Sequence, residues 1–295
     1  MIRTKCEVLS VRRAGLYLSL TLVAPEIADA AKPGQFVQIG VPEDRGIMLR
    51  RPFSIHQASR QGGWAGTVEV VFDVVGPGTE WLSQIRQHEF VDIIGPLGRS
   101  FVLPKDQIFC LLVGGGYGAA PLYFLAEELR AHGKSVAMLM GARTHERVFK
   151  PIEGKRLADV MWITTEDGSM GERGRVTDVL PELIRKAGAE VVYACGPNAM
   201  LRGVADVALA NRLPCQVAVE ELMACGLGVC WTCAVPLIAS DGQGWWNVRA
   251  CVEGPVFNGA RVWWDRWLGD AEEAAPAGGF AEVLEEPEPV EAGPR

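Results

Sequence analysis

Four cysteines that lie close together late in the chain are the side chains best suited to redox or metal chemistry. Their spacing is C-x4-C-x2-C-x17-C, and two glycines stand among the first three. Thiolates are soft ligands, and four of them bind either an iron–sulfur cluster or a tetrahedral zinc ion. The set consists of Cys225, Cys230, Cys233 and Cys251.

The spacing of these cysteines helps to distinguish the two kinds of metal site. Structural zinc usually takes two C-x2-C units, whereas C-x4-C-x2-C followed by a distant cysteine is the plant-type [2Fe–2S] arrangement. Gly226 and Gly228 let the backbone pass close to a bound group and turn its N–H groups toward sulfur. We therefore predict a [2Fe–2S] cluster on the four cysteines, with zinc or unligated thiols as the alternatives.

Two earlier segments carry features of an anion site. Residues 49–55, LRRPFSI, have the pattern of a strand but contain two arginines beside a proline. A solvated strand edge would also explain these charges. Residues 75–82, VGPGTEWL, indicate a glycine-rich turn that leads into a short helix, with Thr79 as N-cap. Because the N–H groups at a helix N-terminus bind anions, such a turn suits a pyrophosphate.

A second glycine-rich turn follows an apolar strand. Residues 108–113 are apolar, residues 114–118 read GGGYG, and a helical pattern covers residues 119–131. Strand, glycine turn and helix indicate a dinucleotide site, although many α/β domains share this motif. Strands and helices then alternate as far as Cys195, which predicts a parallel sheet whose ligand crevice lies at the carboxyl ends of the strands.

The pattern along the chain predicts an α+β multidomain protein. Short apolar runs with glycine and proline breaks before residue 104 are typical of a small antiparallel β-barrel. We assign residues 1–103 to this barrel, 104–219 to the α/β parallel-sheet domain and 220–268 to a small cluster module. Residues 269–295 are rich in Ala, Gly, Pro and Glu, and we expect an acidic, disordered tail.

Composition excludes several classes of function. The net charge is −7 without a block of basic residues, which argues against nucleic acid as a partner. No apolar run approaches the length of a membrane span, and the N-terminus lacks the apolar stretch of a secretory signal. We expect a cytoplasmic chain, whose other four cysteines stay reduced.

The barrel motifs resemble those of the ferredoxin reductase-like flavoproteins, which bind FAD through an R-P-x-S or R-x-Y-S motif and a later G-x-G-T turn. The resemblance implies that Arg51 pairs with the FAD phosphates and that Ser54 reaches the flavin ring. It also implies that Gly78 and Thr79 hold the pyrophosphate. Phe53, beside Pro52 in the motif, stands where a tyrosine is common and would stack on the flavin.

The same resemblance implies the position of the nicotinamide. In that superfamily a Cys-Gly-Pro turn borders the hydride-transfer position, which gives Cys195 a catalytic place beside Ser54; a buried thiol is the alternative for Cys195. The implied nucleotide contacts are Gly114, Gly115, Gly116, Gly118 and Gly196. Arg143 would suit the 2′-phosphate of NADPH, whereas Glu166 would suit the free ribose of NADH. From the resemblance we predict NADH over NADPH.

The order of barrel, nucleotide domain and cysteine module is more specific. With E-x-x-M-x-C-G-x-G-x-C-x-x-C and a late C-x-x-G-P-V-F, it resembles the electron transfer subunits of type B dihydroorotate dehydrogenases. The resemblance implies FAD, a [2Fe–2S] cluster and NAD(H), in pyrimidine synthesis. It also implies an FMN-containing catalytic partner that oxidises dihydroorotate, in a heterotetramer with two of each subunit.

Two alternatives to this function remain open. One is the small subunit of an NADH-dependent ferredoxin:NADP oxidoreductase, which has the same architecture. The other, from a different class, is a nucleotide-responsive binding protein with structural zinc.

Tryptophans are concentrated in the cluster module. A module of about 50 residues has too little interior to bury six indoles of roughly 150–250 Å² each. We expect about half of them to face outward, and we predict that Trp231 lies at or near the contact with the catalytic subunit. The six are Trp231, Trp245, Trp246, Trp263, Trp264 and Trp267.

Overall fold

The structure is a computed structural model that describes residues 1–42, 47–60, 63 and 66–269. The tail that we expect at 269–295 lies, apart from Gly269, outside the described residues. Among the residues described, no helix is both long and apolar enough to cross a membrane.

The first part of the chain forms a closed antiparallel barrel, as predicted. Its strands follow the order β1-β2-β5-β4-β3-β6 around the barrel. Alternate residues such as Val37, Ile39 and Ile55 fill its interior, because successive side chains of a strand point to opposite faces. The elements are β1 (Ile2–Ala14), β2 (Tyr17–Val23), α1 (Pro25–Ala30), β3 (Phe36–Ile39), β4 (Arg51–Ser59), β5 (Thr67–Phe72), α2 (Pro77–Gln84) and β6 (Phe90–Leu97).

The glycine turn after β5 leads into α2, but the prediction of Thr79 as its N-cap is wrong. The cap is Gly76, and Pro77 begins the helix, where its missing N–H costs no hydrogen bond. Thr79 Oγ1 instead reaches back and accepts the N–H groups of Val75 at 2.9 Å and Gly76 at 3.1 Å. Its hydroxyl therefore fixes the shape of the turn from within the helix.

The second part of the chain forms a seven-stranded sheet of order β10-β9-β8-β7-β11-β12-β15. Its first six strands are parallel, as predicted, and β15 is antiparallel to β12. The elements are β7 (Phe109–Gly115), α3 (Ala120–Ala131), β8 (Ser135–Ala142), α4 (Pro151–Leu157), β9 (Val160–Thr165), β10 (Glu172–Arg173), α5 (Val176–Ala187), β11 (Val191–Cys195), α6 (Asn198–Ala210), β12 (Cys215–Ala218) and β15 (Val256–Asn258).

Strand β15 lies within residues 220–268, which we assign to the cluster module. It pairs with β12 through residues such as Phe257 and Val217, so this part of the chain also extends the nucleotide sheet. The other strands of the range form the hairpin of β13 (Ala234–Ile238) and β14 (Trp245–Arg249), and its α-helix is α7 (Trp264–Leu268). The division into three ranges stays a prediction.

The barrel and the cysteine-rich region share one hydrophobic core. Phe36 of β3 lies in the same buried cluster as Cys233, Val235 and Cys251. This packing brings the outer face of β3 against the loop that contains the first three cysteines of the motif. Residues 220–233, all of them described, form no helix or strand.

Candidate redox site

The four predicted ligand cysteines lie in two hydrogen-bonded pairs. Cys230 Sγ lies 3.3 Å from Cys225 Sγ, near the surface, and the second pair, Cys233 and Cys251, is buried. Among the residues described, no three His, Cys, Asp or Glu side chains are arranged around one common ion. Two pairs of thiols instead match a group with two irons and four thiolates, two to each iron.

The loop directs hydrogen-bond donors at these sulfurs. The backbone N–H groups of Leu227 and Val229 both donate to Cys225 Sγ at 3.4 Å. Thr232 Oγ1 donates to Cys230 Sγ at 3.2 Å, and this hydroxyl is the first cause that lowers the pKa of the Cys230 thiol to about 6. Donors of this kind stabilise thiolate, the form of cysteine that binds metal.

Glycine is required at two positions of the loop. Gly226 and Gly228 have φ values of +67° and +82°, in the left-handed region that favours glycine. A Cβ on Gly228 would lie 2.6 Å from the Val252 side chain, so the loop also lies too close to its neighbour for a larger residue. The thiols, the donors and the tight loop together fit an iron–sulfur cluster.

Arg249 holds the two cysteine segments together, and sequence reasoning missed it. Its Nη1 donates to the Gly228 carbonyl at 2.8 Å, and its guanidinium pairs with Glu253 at 2.5 Å. The same guanidinium lies over the Trp231 ring, 5.0 Å from its centroid. An arginine two residues before the last cysteine was the only sequence signal for this contact.

The FAD motif and the glycine turn meet, as the resemblance implies. A Cβ on Gly78 would lie 2.7 Å from Arg51 Nε, so the arginine side chain lies directly against the N-terminal turn of α2. Arg51 Nη1 also donates to the Leu49 carbonyl at 3.1 Å, which orients the guanidinium. A cation beside helix N–H groups is chemically suited to a pyrophosphate.

The other residues of the FAD motif point in two directions. Ser54 is exposed, and Pro52 is half-buried on the same outer face of the barrel. Phe53 points the other way: its ring is buried in the barrel core, 5.6 Å from the ring of Phe72. This packing favours a core role for Phe53 over stacking on a flavin.

A crevice of about 860 Å³ opens at the carboxyl ends of the sheet strands. Residues 115–118 form one wall and Pro197 lies on another, so the two predicted turns converge. A Cβ on Gly118 would lie 2.7 Å from Gly196 Cα, and one on Gly115 would lie 3.0 Å from Pro197 Cδ. The glycines therefore let two backbone turns pack against each other.

Charged residues line the same crevice. Arg143 and Glu166 both border it, as do Arg147 and Arg175, which sequence reasoning did not select. Glu220 closes the side toward the cysteine loop and accepts a hydrogen bond from Tyr117 at 3.2 Å. The sequence signal for Glu220 is its position at the start of the E-x-x-M-x-C motif.

Cys195 ends β11 as a buried thiol, with 8% of its surface exposed. Burial raises the pKa of this thiol to about 12, so it stays protonated near neutral pH. Gly114 lies opposite Cys195 on the adjacent strand β7, and a Cβ there would lie 2.5 Å from Ala119 Cβ. The catalytic place assigned to Cys195 and Ser54 stays a prediction.

Comparison with known proteins connects these regions. A family model described as the iron–sulfur cluster binding domain of dihydroorotate dehydrogenase B matches residues 220–263. A second model, described as an oxidoreductase NAD-binding domain, matches residues 112–206.

Full-length relatives match most of the chain. A protein of Desulforamulus reducens named dihydroorotate dehydrogenase B (NAD(+)), electron transfer subunit, is 39% identical over 242 residues, 82% of this chain and 90% of that protein. A protein of the same name from Geobacillus kaustophilus is 37% identical over 82% of this chain and 91% of its own length.

A solved structure extends the comparison to the fold. The structure of an NADH-dependent reduced ferredoxin-NADP oxidoreductase, studied for flavin-based electron bifurcation, has a TM-score of 0.77 and 30% identity. The match covers 90% of this chain and 92% of that one.

The barrel, the nucleotide sheet and the four-cysteine module define an iron–sulfur flavoprotein oxidoreductase of the ferredoxin reductase-like fold. Its redox cofactors are FAD, a [2Fe–2S] cluster and NAD(H). Within this class, the chain belongs to the family of electron transfer subunits of NAD-dependent dihydroorotate dehydrogenase B.

Proposed function

We propose that this chain passes electrons between NAD(H) and the FMN of a separate catalytic subunit that oxidises dihydroorotate to orotate. The observation that carries the proposal is the cluster loop, whose four paired thiols, sulfur-directed N–H groups and glycine positions fit a two-iron cluster. When bound, the flavin exchanges a two-electron hydride with nicotinamide and single electrons with the cluster.

Within this proposal the chain's residues position the three groups. Arg51 neutralises the FAD pyrophosphate together with the backbone of Gly78, against which it lies. Ser54, exposed on the outer face of β4, hydrogen-bonds the flavin edge. Thr79 keeps the phosphate-binding turn in shape through its two bonds to backbone N–H groups.

The nicotinamide half of the proposal uses the crevice at the sheet. The turn of residues 114–118 follows the backbone of the dinucleotide, and Gly196, which packs against Gly115, borders the nicotinamide beside the flavin. Cys195, a protonated thiol at the end of β11, forms the apolar wall of this position. Cys225, Cys230, Cys233 and Cys251 are the cluster ligands.

The docking surface in this proposal surrounds the cluster. Leu222 and Val229 are 79% and 78% exposed, and Trp231, between two ligand cysteines, is 50% exposed. Of the other tryptophans in the module, Trp263 and Trp264 are buried, so the indoles divide between core and surface, as predicted from their number. Exposed apolar side chains around a redox centre suit a protein partner that must approach it closely.

The same proposal extends to the partner, the assembly, the compartment, the division into units and the cofactor preference. The partner is the FMN-containing catalytic subunit, and the complex is a heterotetramer with two of each subunit, acting in the cytoplasm. Residues 1–103, 104–219 and 220–268 act as the FAD, NAD and cluster units, which agrees with the position of the barrel strands before residue 104. NADH is preferred over NADPH.

A second candidate is the small subunit of an NADH-dependent ferredoxin:NADP oxidoreductase, because a solved structure with that title is 30% identical over most of the chain. The arginines that line the crevice, Arg143, Arg147 and Arg175, would suit an adenosine 2′-phosphate.

One experiment separates the two candidates. The chain is co-expressed with an FMN-containing dihydroorotate dehydrogenase catalytic subunit, and dihydroorotate-dependent reduction of NAD+ and NADP+ is measured. The proposal predicts a stable complex that reduces NAD+ in preference to NADP+. A chain that binds no such subunit and prefers NADPH for flavin reduction would contradict the proposal and favour the second candidate.

A further inference from the structure

Gln38 of β3 is a buried polar side chain without a hydrogen-bond partner. It is fully buried, and neither Nε2 nor Oε1 has a partner. Among the described residues, the only other buried side-chain atom in this condition is Thr164 Oγ1. Because an unpaired buried amide destabilises a fold, such a group requires an explanation, and a bound group that accepts its hydrogen bond provides one.

The amide of Gln38 lies outside the barrel, on the side of the cysteine loop. Val37 and Ile39 fill the barrel interior, so Gln38 points to the outer face with Phe36. Its register partner across the ladder is Pro52, in the proposed FAD motif of β4. Gln38 is therefore attached to the strand next to the one that would hold the flavin.

The same side chain touches the cysteine loop. A Cβ on Gly226 would lie 2.1 Å from Gln38 Nε2 and 2.7 Å from Cδ, so the carboxamide lies directly against this glycine. Gly226 directly follows Cys225, whose sulfur already accepts two backbone N–H groups. The unpaired amide donor thus lies beside the loop of sulfur acceptors, between the FAD motif and the cluster ligands.

We propose, on the basis of the proposed function, that Gln38 is a positioning residue for the cluster and raises its reduction potential. With the cluster bound, Nε2–H donates a hydrogen bond to a sulfur at the Cys225 end. Reduction adds negative charge to the cluster sulfurs, so a donor there favours the reduced form. The contact also holds the loop against the flavin-binding face of the barrel.

The test uses the full chain with Gln38→Met, which keeps the length of the side chain and removes the donor. Iron, acid-labile sulfide and FAD are measured first, and the cluster is then titrated electrochemically and followed by electron paramagnetic resonance. The expected result is full loading with a cluster potential lowered by about 59 mV, a tenfold change in a one-electron equilibrium.

Gln216→Met is the matched control. Gln216 is also a buried amide, but its Oε1 and Nε2 are bonded to the backbone of Val102 at 2.8 and 2.9 Å. Its replacement should lower thermal stability and leave the cluster potential unchanged. The contrast separates loss of a donor to the cluster from loss of any buried amide.

Three results would overturn or redirect the inference. An unchanged cluster potential in fully loaded Gln38→Met contradicts it, and so does a shift confined to the flavin potential. If purified Gln38→Met does not contain the cluster, the reduction potential of the cluster is measured in Gln38→Glu instead. Loss of the cluster from both variants, with FAD retained, supports the positioning role. Wild-type chain without iron and sulfide would instead contradict the proposed function itself.

Discussion

The nucleotide crevice and the cluster loop are built on different principles. The crevice is formed by the ends of parallel strands, and its turns are fixed by backbone contacts such as that between Gly118 and Gly196. The cluster loop has no regular secondary structure, and Val229 and Cys230 are exposed on it. The crevice is therefore preformed by the sheet, whereas we expect the loop to depend on its bound group for rigidity, as metal sites often do.

The largest effect is expected from Cys230→Ser, which tests whether the cluster loop and the nucleotide crevice function independently. Losing one of four thiolates should remove the cluster and reduce electron transfer to the catalytic subunit to background. FAD content and hydride transfer from NADH should stay near wild type, because the crevice does not rely on the loop. The measurements are cluster absorbance, flavin content and stopped-flow reduction of the flavin by NADH. If hydride transfer were lost together with the cluster, the crevice would depend on the loop after all.

Gly118→Ala tests the preformed nucleotide crevice. The added Cβ would lie 2.7 Å from Gly196 Cα and 3.1 Å from Gly196 N, and because both of these atoms belong to the backbone, the two turns must move apart. We expect flavin reduction by NADH to slow by about 100-fold, the cost of an ångström-scale misplacement. Iron, sulfide and FAD content should not change, and a variant that loses the cluster as well would show that the two regions are not independent.

Acid should weaken the contact between the barrel and the nucleotide sheet. His56 of β4 is buried; its Nδ1 lies 2.6 Å from the Ala120 carbonyl and its Nε2 lies 3.0 Å from Lys150 Nζ. Desolvation, partly offset by Glu69, lowers the pKa of His56 to about 4.

Because the pKa of His56 is lower in the folded chain than in the unfolded chain, the folded chain loses stability at acid pH. Unfolded chain binds a proton at His56 near its ordinary pKa of about 6.5, and folded chain does so only near pH 4. Stability should therefore be fully present above about pH 6.5 and fall by roughly 2 to 3 kcal/mol as the pH drops toward 4. Denaturant unfolding at several pH values measures this loss, and His56→Phe should remove most of the slope; an unchanged slope would assign the loss to other groups.

The smallest effect is expected from Trp231→Ala, which tests whether the cluster loop is a docking surface for the catalytic subunit. Its ring is half exposed and rests on Arg249, so little core packing is lost. Reduction of an artificial dye by NADH should be kept, and electron transfer to the catalytic subunit should slow roughly tenfold. If both activities fall together with loss of the cluster, Trp231 supports the loop and does not dock the partner.

Periodicity and glycine turns were enough to predict the barrel and the parallel sheet. The α5 and β11 bounds, Val176–Ala187 and Val191–Cys195, follow directly from the apolar pattern. The N-cap of α2 was missed because Pro77 begins the helix two residues before Thr79. Strand β15 was missed because a strand of three residues is too short to show an alternating pattern, and its pairing with β12 is a contact between distant segments.

Side-chain contacts between distant segments could not be read from the sequence. Gln38 stands in an apolar strand pattern as one polar residue, which is also what a solvent-facing position looks like. Only the packing of β3 against Gly226 shows that this amide is buried. The clamp of Arg249 on the Gly228 carbonyl likewise depends on how the hairpin returns to the loop.

The central claim, that the four-cysteine loop holds a two-iron cluster in a flavoprotein, is tested most directly by chemical analysis of the anaerobically purified chain. Iron, zinc, acid-labile sulfide and FAD are determined on one sample. We expect two irons, two sulfides and one FAD per chain, with the electron paramagnetic resonance signal of a [2Fe–2S] cluster after reduction. Stoichiometric zinc without iron or sulfide would contradict it.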